Sequence, residues 1–188
     1  MINGYTLTDP ANANQAQQEI FEKANKRFGF VPNIVNAFSE SPVLAAAMLG
    51  LYAKFDDTLF NAVESHVVLQ TINVLNECHY CVPAHSTIAR NGGVDETLDD
   101  ALRRNEPLAD SKLETLRQFT TQMVQQRGHV SQDQFASFIK AGYTRQSALE
   151  IVLFITVKTL TNYGNHITGT DLDEAFKPLE WSPNAATV

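Results

Sequence analysis

Helix-capping residues, prolines and glycines recur along this chain at helical intervals, and nowhere do apolar and polar residues alternate with a period of two over several positions. A half-buried strand needs that alternation. The pattern therefore predicts an all-α chain. Asp9 before Pro10 reads as the N-cap and first-turn proline of a polar helix that ends near Gly29. Pro32 and Pro42 open two further segments, the second running through Val43, Leu44 and Ala45 toward Phe55. Asn61 and Glu64 have capping-box spacing ahead of Val63, Val67, Val68, Leu69, Ile72 and Leu75. That helix is apolar on most sides, which predicts burial.

Gly92-Gly93 ends a short helix begun around Tyr80 to Pro83, and the next starts at Asp95. Pro107 separates it from a helix read as capped by Ser111 with Glu114 and stopped by Gly128. Ser131 with Gln134 opens another that Gly142 ends, and Thr144 caps a long helix through Leu149, Val152, Phe154, Ile155 and Leu160. Gly93-Val94-Asp95 and Gly142-Tyr143-Thr144 echo each other, read as a common way to join two helices rather than as a duplicated hairpin. No linker divides the chain, so residues 1–188 are expected to form one helical domain. The tail after Trp181 is expected to fray.

Composition excludes several function classes. A net charge of -7 and a pI near 5.1 lack the basic footprint of a nucleic-acid binder. The most apolar stretch, Ala148 to Val157, is too short to span a bilayer. The start, Met1 to Thr6, is polar and mixed, unlike a secretory leader, so the expected location is cytoplasmic.

Only two cysteines are present, and they are Cys78 and Cys81. A secreted disulfide scaffold would carry more, so the pair points to redox chemistry or to half of a metal site. Residues three apart at a helix entry can form a disulfide with little backbone movement. Pro83 is tolerated only in a first turn, which places the helix start near Tyr80 or Cys81. His85 follows Cys81 by one turn, so its imidazole lies on the same face. A thiol at a helix N-terminus beside an imidazole is stabilised as thiolate, and comparable settings give thiol pKa values of roughly 3.5–7.5. Cys81 is thus the better nucleophile, and Cys78 is placed to close the disulfide after Cys81 becomes a sulfenic acid.

Other readings stand beside this one. Structural zinc uses the same CxxC spacing and would recruit His79, His85, His66 or a partner chain, although no second CxxC follows. Glu64 serves equally as the reciprocal residue of the capping box, and His66 as a satisfied core histidine. His79 is expected to be exposed, and His129 beside Gly128 reads as a charge at a helix C-terminus.

Asn76-Glu77-Cys78-His79-Tyr80-Cys81-Val82-Pro83-Ala84-His85-Ser86, followed by Ile88-Ala89-Arg90, resembles the alkylhydroperoxidase D-like branch of the carboxymuconolactone decarboxylase superfamily. Phe30-Val31-Pro32-Asn33 and Thr161-Asn162-Tyr163-Gly164-Asn165-His166 resemble its peroxidase-related subgroup. The likeness runs from about Phe28 to Trp181, with the cysteine segment at residues 61–91. It implies an alkylhydroperoxidase D-like helical domain that assembles as a dimer, trimer or hexamer. It also implies a cofactor-free peroxidase, in which Cys81 attacks the hydroperoxide, Cys78 resolves it, His85 belongs to a proton relay, and a thiol or dithiol reductant resets the pair.

One position departs from the pattern. The relay glutamate of the best-studied branch sits twelve residues before the first cysteine, where this chain has His66; Glu64 lies fourteen before. On a helix those positions point about 200° apart. His66 is the expected relay member and Glu64 the structural one. Position 80 holds Tyr80 where that branch has histidine, and a tyrosine also donates a proton. A general disulfide reductase or redox sensor would use the same two cysteines without a peroxide pocket.

Overall fold

The computed structural model describes residues 4–183, so Met1 to Asn3 and residues 184–188 of the tail lie outside the described residues. Within them the chain forms nine α-helices, three short 3-10 turns and no strand. The helices are α1 (Gln15–Phe28), α2 (Asn33–Phe38), α3 (Pro42–Tyr52), α4 (Ala62–Leu75), α5 (Cys81–Asn91), α6 (Glu96–Arg103), α7 (Ser111–Gln125), α8 (Gln132–Lys140) and α9 (Arg145–Thr168).

The capping chemistry explains both the expected boundaries and three corrections. Capping boxes at Asn61/Glu64 and Ser131/Gln134 open α4 and α8, and Thr144 caps α9. Asp9, however, caps only the 3-10 turn Pro10–Asn12, and α1 begins later under a box formed by Asn14 and Gln17. Helix α3 stops at Tyr52, short of Phe55, which starts a separate 3-10 turn. Asp110, not Ser111, caps α7, accepting the Lys112 and Leu113 N–H groups at 2.9 Å each. A charged acceptor one residue earlier reaches two orphan donors, and it also meets the positive end of the helix dipole.

Helix α4 lies at the centre, packed against α5, α6, α7 and α9. Its apolar residues Val67, Val68, Leu69 and Ile72 join Leu116, Phe138, Ile151 and Phe154 in one core. A second core gathers Ile20, Phe21, Val35, Phe38 and Met48 around the two cysteines and Phe176. Each such side chain contributes about 1.5–3 kcal/mol when fully buried. Helix α9 joins the two, giving Phe154 to the first and Leu160 to the second.

Where α2 crosses α9 the approach is close enough to require a glycine. A Cβ at Gly164 would lie 2.4 Å from Cζ of Phe38, whose ring is buried. Gly164→Ala gains up to about 1 kcal/mol of helix propensity. It must also displace the ring, and overpacking costs about 1–3 kcal/mol. The expected result is a lower denaturant midpoint, and an unchanged midpoint would mean that Phe38 can turn aside.

The C-terminal segment folds back over the helices. Asp173 accepts the Asn33 N–H at 3.1 Å and the Tyr80 hydroxyl, tying the start of α2 to the start of α5. Further on, the Trp181 indole donates to the Arg103 carbonyl at 3.0 Å, and Arg103 donates to the Glu180 carbonyl at 3.2 Å.

Candidate active site

The cysteines sit on a turn that α4 itself dictates. At its C-terminus the Glu77 N–H bonds to the Val74 carbonyl and the Cys78 N–H to the Asn73 carbonyl, each at 3.0 Å. This is the Schellman arrangement, with Glu77 in the left-handed position at φ 51. The turn delivers Cys78 directly to the start of α5, of which Cys81 is the first residue. The Cys81 N–H then donates to the Cys78 sulfur at 3.2 Å. Both cysteines are buried and unbridged.

Their protonation diverges. Burial pushes the Cys81 thiol up, but the Cys78 hydrogen bond, the Lys158 charge and bonds from Asn162 and Thr161 outweigh it and hold the thiol at about 6. Burial and the adjoining Cys81 push Cys78 well above the ordinary thiol value. At neutral pH the pair is therefore one thiolate and one thiol.

Lys158 is the feature that sequence reasoning missed. It is 0% exposed, and its Nζ lies 3.0 Å from His85 Nε2 and 3.4 Å from the Tyr52 hydroxyl. Burial alone would push its pKa down, yet the neighbouring Cys81, Tyr52 and Cys78 raise it. An uncompensated buried ammonium costs several kcal/mol, so the Cys81 thiolate is what permits it. One signal was available. Lys158 falls in register with Ile151, Phe154, Thr161 and Asn165, all on the buried face of α9.

The cation beside Cys81 is thus a lysine, while His85 is held neutral. Burial, then the Lys158 and His66 charges, pushes the imidazole well below its ordinary value. Its Nε2 accepts from Lys158, which leaves the proton on Nδ1. Tyr80 is likewise kept as a neutral phenol by burial and by the neighbouring Asp173.

His66 and Glu64 occupy other surroundings. The His66 Nε2 bonds to Asp99 Oδ1 at 2.9 Å. Asp99 also accepts from Ser86 at 2.9 Å and from the Arg90 Nε at 2.8 Å. Gln70 reaches the Ser86 hydroxyl at 2.8 Å, Asn73 reaches Gln70 at 3.0 Å, and Asn162 reaches Asn73 at 3.1 Å. This polar chain runs through the core behind the thiols, with His66 near enough for its charge to act on His85. Glu64 closes the capping box with Asn61 and accepts from Lys112 at 2.8 Å, at the far end of α4. His79 and His129 are exposed, and exposed His166 stacks on Tyr163. Among the described residues no group of three His, Cys, Asp or Glu side chains is arranged to hold a metal ion.

Cys81, His85, Lys158, Tyr52 and Tyr80 open onto a cleft of about 150 Å³. Its remaining walls are apolar, supplied chiefly by Phe28, Phe30, Ile34, Met48, Ile88 and Phe176. The site can therefore present a thiolate, a second thiol and a proton donor to a ligand with an apolar body.

No protein-family model matches the sequence, and no curated protein does. Solved structures match the fold. An alkylhydroperoxidase core, an uncharacterised peroxidase-related protein from Ralstonia eutropha, superposes with a TM-score of 0.80 at 18% identity, over 92% of this chain and 93% of that one. A peroxidase-related protein from a Silicibacter species gives 0.77 at 19% identity, over 92% of each chain. The debrominase Bmp8, solved with 2,3,4-tribromopyrrole, gives 0.74 at 20% identity, over 95% of this chain and 96% of that one. The chain thus has the all-helical alkylhydroperoxidase D-like fold.

Proposed function

We propose that this chain is a thiol-dependent oxidoreductase that reduces hydroperoxides, with Cys81 as nucleophile and Cys78 as resolving thiol. The observation that carries the reading is the split protonation of the pair. Cys81 is held near 6 at the first position of α5, facing the cleft, while Cys78 stays protonated beside it. A peroxide needs a thiolate to attack it and a second thiol to remove the sulfenic acid. His85 and His66 belong to the proton-handling surroundings of the site, and Glu64 to the support of α4. A thiol or dithiol reductant completes the cycle, as the reducing cytoplasm would supply. Leu149, Val152, Tyr163 and Ile167, exposed along α9, offer an apolar face for assembly into a homo-oligomer.

A second reading draws on the apolar cleft and on the fold shared with a debrominase. The same dithiol could reduce a brominated aromatic ring, with one disulfide formed, one bromide released and the thiol proton passed to the ring carbon for each bromine replaced by hydrogen.

Thiol titration separates the readings. Reduced protein given one equivalent of cumene hydroperoxide should lose both thiols and form one equivalent of the alcohol. A tribromopyrrole pulse run in parallel reports bromide. Thiols that survive the hydroperoxide while bromide is released would move the assignment to dehalogenation. Thiols that survive both but are lost to a small disulfide would leave a general disulfide reductase.

A further inference from the structure

We propose that Lys158 is a catalytic residue of this thiol site, serving both as the standing counterion of the Cys81 thiolate and as the acid that protonates the leaving alkoxide. The inference rests on the hydroperoxide reading above and supplies the proton source which that reading lacks.

Charge in a closed space decides what can balance this ammonium. Lys158 is wholly buried, and Cys81, Cys78, Tyr52 and His85 are the titratable groups around it. Tyr52 comes from α3, Cys78 from the turn before α5, Cys81 and His85 from α5, and His66 stands behind His85 on α4. None of these is a carboxylate, and Lys158 has no ion pair with a carboxylate among the described residues. The anion that balances the ammonium is therefore the thiolate, and oxidation destroys that anion. A disulfide carries no charge, so a charged Lys158 would then stand alone in the core.

The leaving group resolves the imbalance. The Cys81 thiolate attacks the distal oxygen of the hydroperoxide; an S–O bond forms and the O–O bond breaks. The electron pair leaves on the alkoxide oxygen, which takes a proton from the Lys158 Nζ. The products are an alcohol, a Cys81 sulfenic acid and a neutral amine. The Cys78 sulfur then attacks Cys81; an S–S bond forms, the S–O bond breaks, and hydroxide departs with the Cys78 proton as water. The dithiol is oxidised by two electrons and the peroxide reduced by two. The site carries zero net charge before and after, and no proton enters from solvent.

His85 and Glu64 do not fill this role as placed. The neutral His85 accepts from Lys158 through Nε2, and no carboxylate bonds to it among the described residues. Glu64 holds Asn61 and Lys112 instead.

The test uses Lys158→Met and Lys158→Arg in the full chain, followed by ultraviolet thiolate absorbance against pH. In the wild type the midpoint is expected at about 6. Lys158→Met should raise it by at least about one unit, a tenfold change in thiolate stability. Lys158→Arg keeps the charge and a low midpoint, but a guanidinium does not give up its proton. In a single turnover at alkaline pH, where every thiolate is formed, both variants should react roughly 10²–10⁴ times more slowly with cumene hydroperoxide. An indicator dye should show no proton uptake per disulfide in the wild type.

A Lys158→Met midpoint that stays near 6 overturns the counterion role. Single-turnover rates within a few-fold of wild type overturn the acid role, and uptake of one proton per disulfide overturns the retention of a neutral amine beside the disulfide. A wild type that consumes no hydroperoxide sinks the hydroperoxide reading and the acid role together, while the absorbance midpoint still decides the counterion role.

Discussion

Cys81→Ser is expected to abolish hydroperoxide consumption, whereas Cys78→Ser is expected to allow one oxidation event and then stop. The asymmetry follows from which sulfur carries charge at neutral pH. Only Cys81 is a thiolate there, and a serine hydroxyl in its place is not a nucleophile toward peroxide. In the Cys78→Ser protein the Cys81 sulfenic acid has no thiol to condense with. It should persist long enough to be labelled by a dimedone-type probe, and mass spectrometry should place the label on Cys81. The serine hydroxyl can still donate to the thiolate, so the first oxidation should proceed. A label found on Cys78 in the Cys81→Ser protein would reverse the two roles.

The largest stability effect is expected at Asp99. Its carboxylate is 0% exposed and accepts from His66, Ser86 and Arg90. Asp99→Asn removes one of the carboxylates bonded to Arg90, which keeps Asp100 at 2.6 Å, and turns an N–H₂ toward the His66 and Ser86 donors. Leaving buried donors without an acceptor costs about 1–3 kcal/mol. For a chain of this size that corresponds to a melting temperature lower by about 2–12 °C. The pH dependence follows from the same contacts. Burial pushes the Asp99 carboxyl up, but bonds from His66 and Arg90, the His66 charge and the Ser86 hydroxyl hold it below its ordinary 3.8. A depressed carboxyl adds stability that is fully present above 3.8 and lost as pH falls through the lower folded value. Thermal melts from neutral pH down to about 3 should show the wild type converging on the variant. A variant that melts with the wild type at neutral pH would show that the network is dispensable.

The helical class was legible because capping is local. Asn61/Glu64, Ser131/Gln134 and Thr144 act through residues three apart, and the structure uses all of them. Errors arose where two capping residues stood side by side, as at Asp110 and Ser111, and only geometry chooses between them. In the thiol segment, Pro83 gave the start of α5 and the spacing gave His85 its face. Lys158 lies 77 residues beyond Cys81, and spacing carries no information across such a gap. Nor could spacing show that His66 turns to Asp99, on a different helix.

Trp181 is the only tryptophan in the chain, and its indole is fastened to α6 through the Arg103 carbonyl. The same arginine side chain donates to the Ser86 hydroxyl at 3.1 Å, which belongs to the polar chain behind the thiols. The molecule thus carries a built-in optical reporter at one known place. Its emission reads whether the C-terminal segment is seated over α6, and a red shift without loss of helical circular dichroism would register that segment lifting while the helices stay folded.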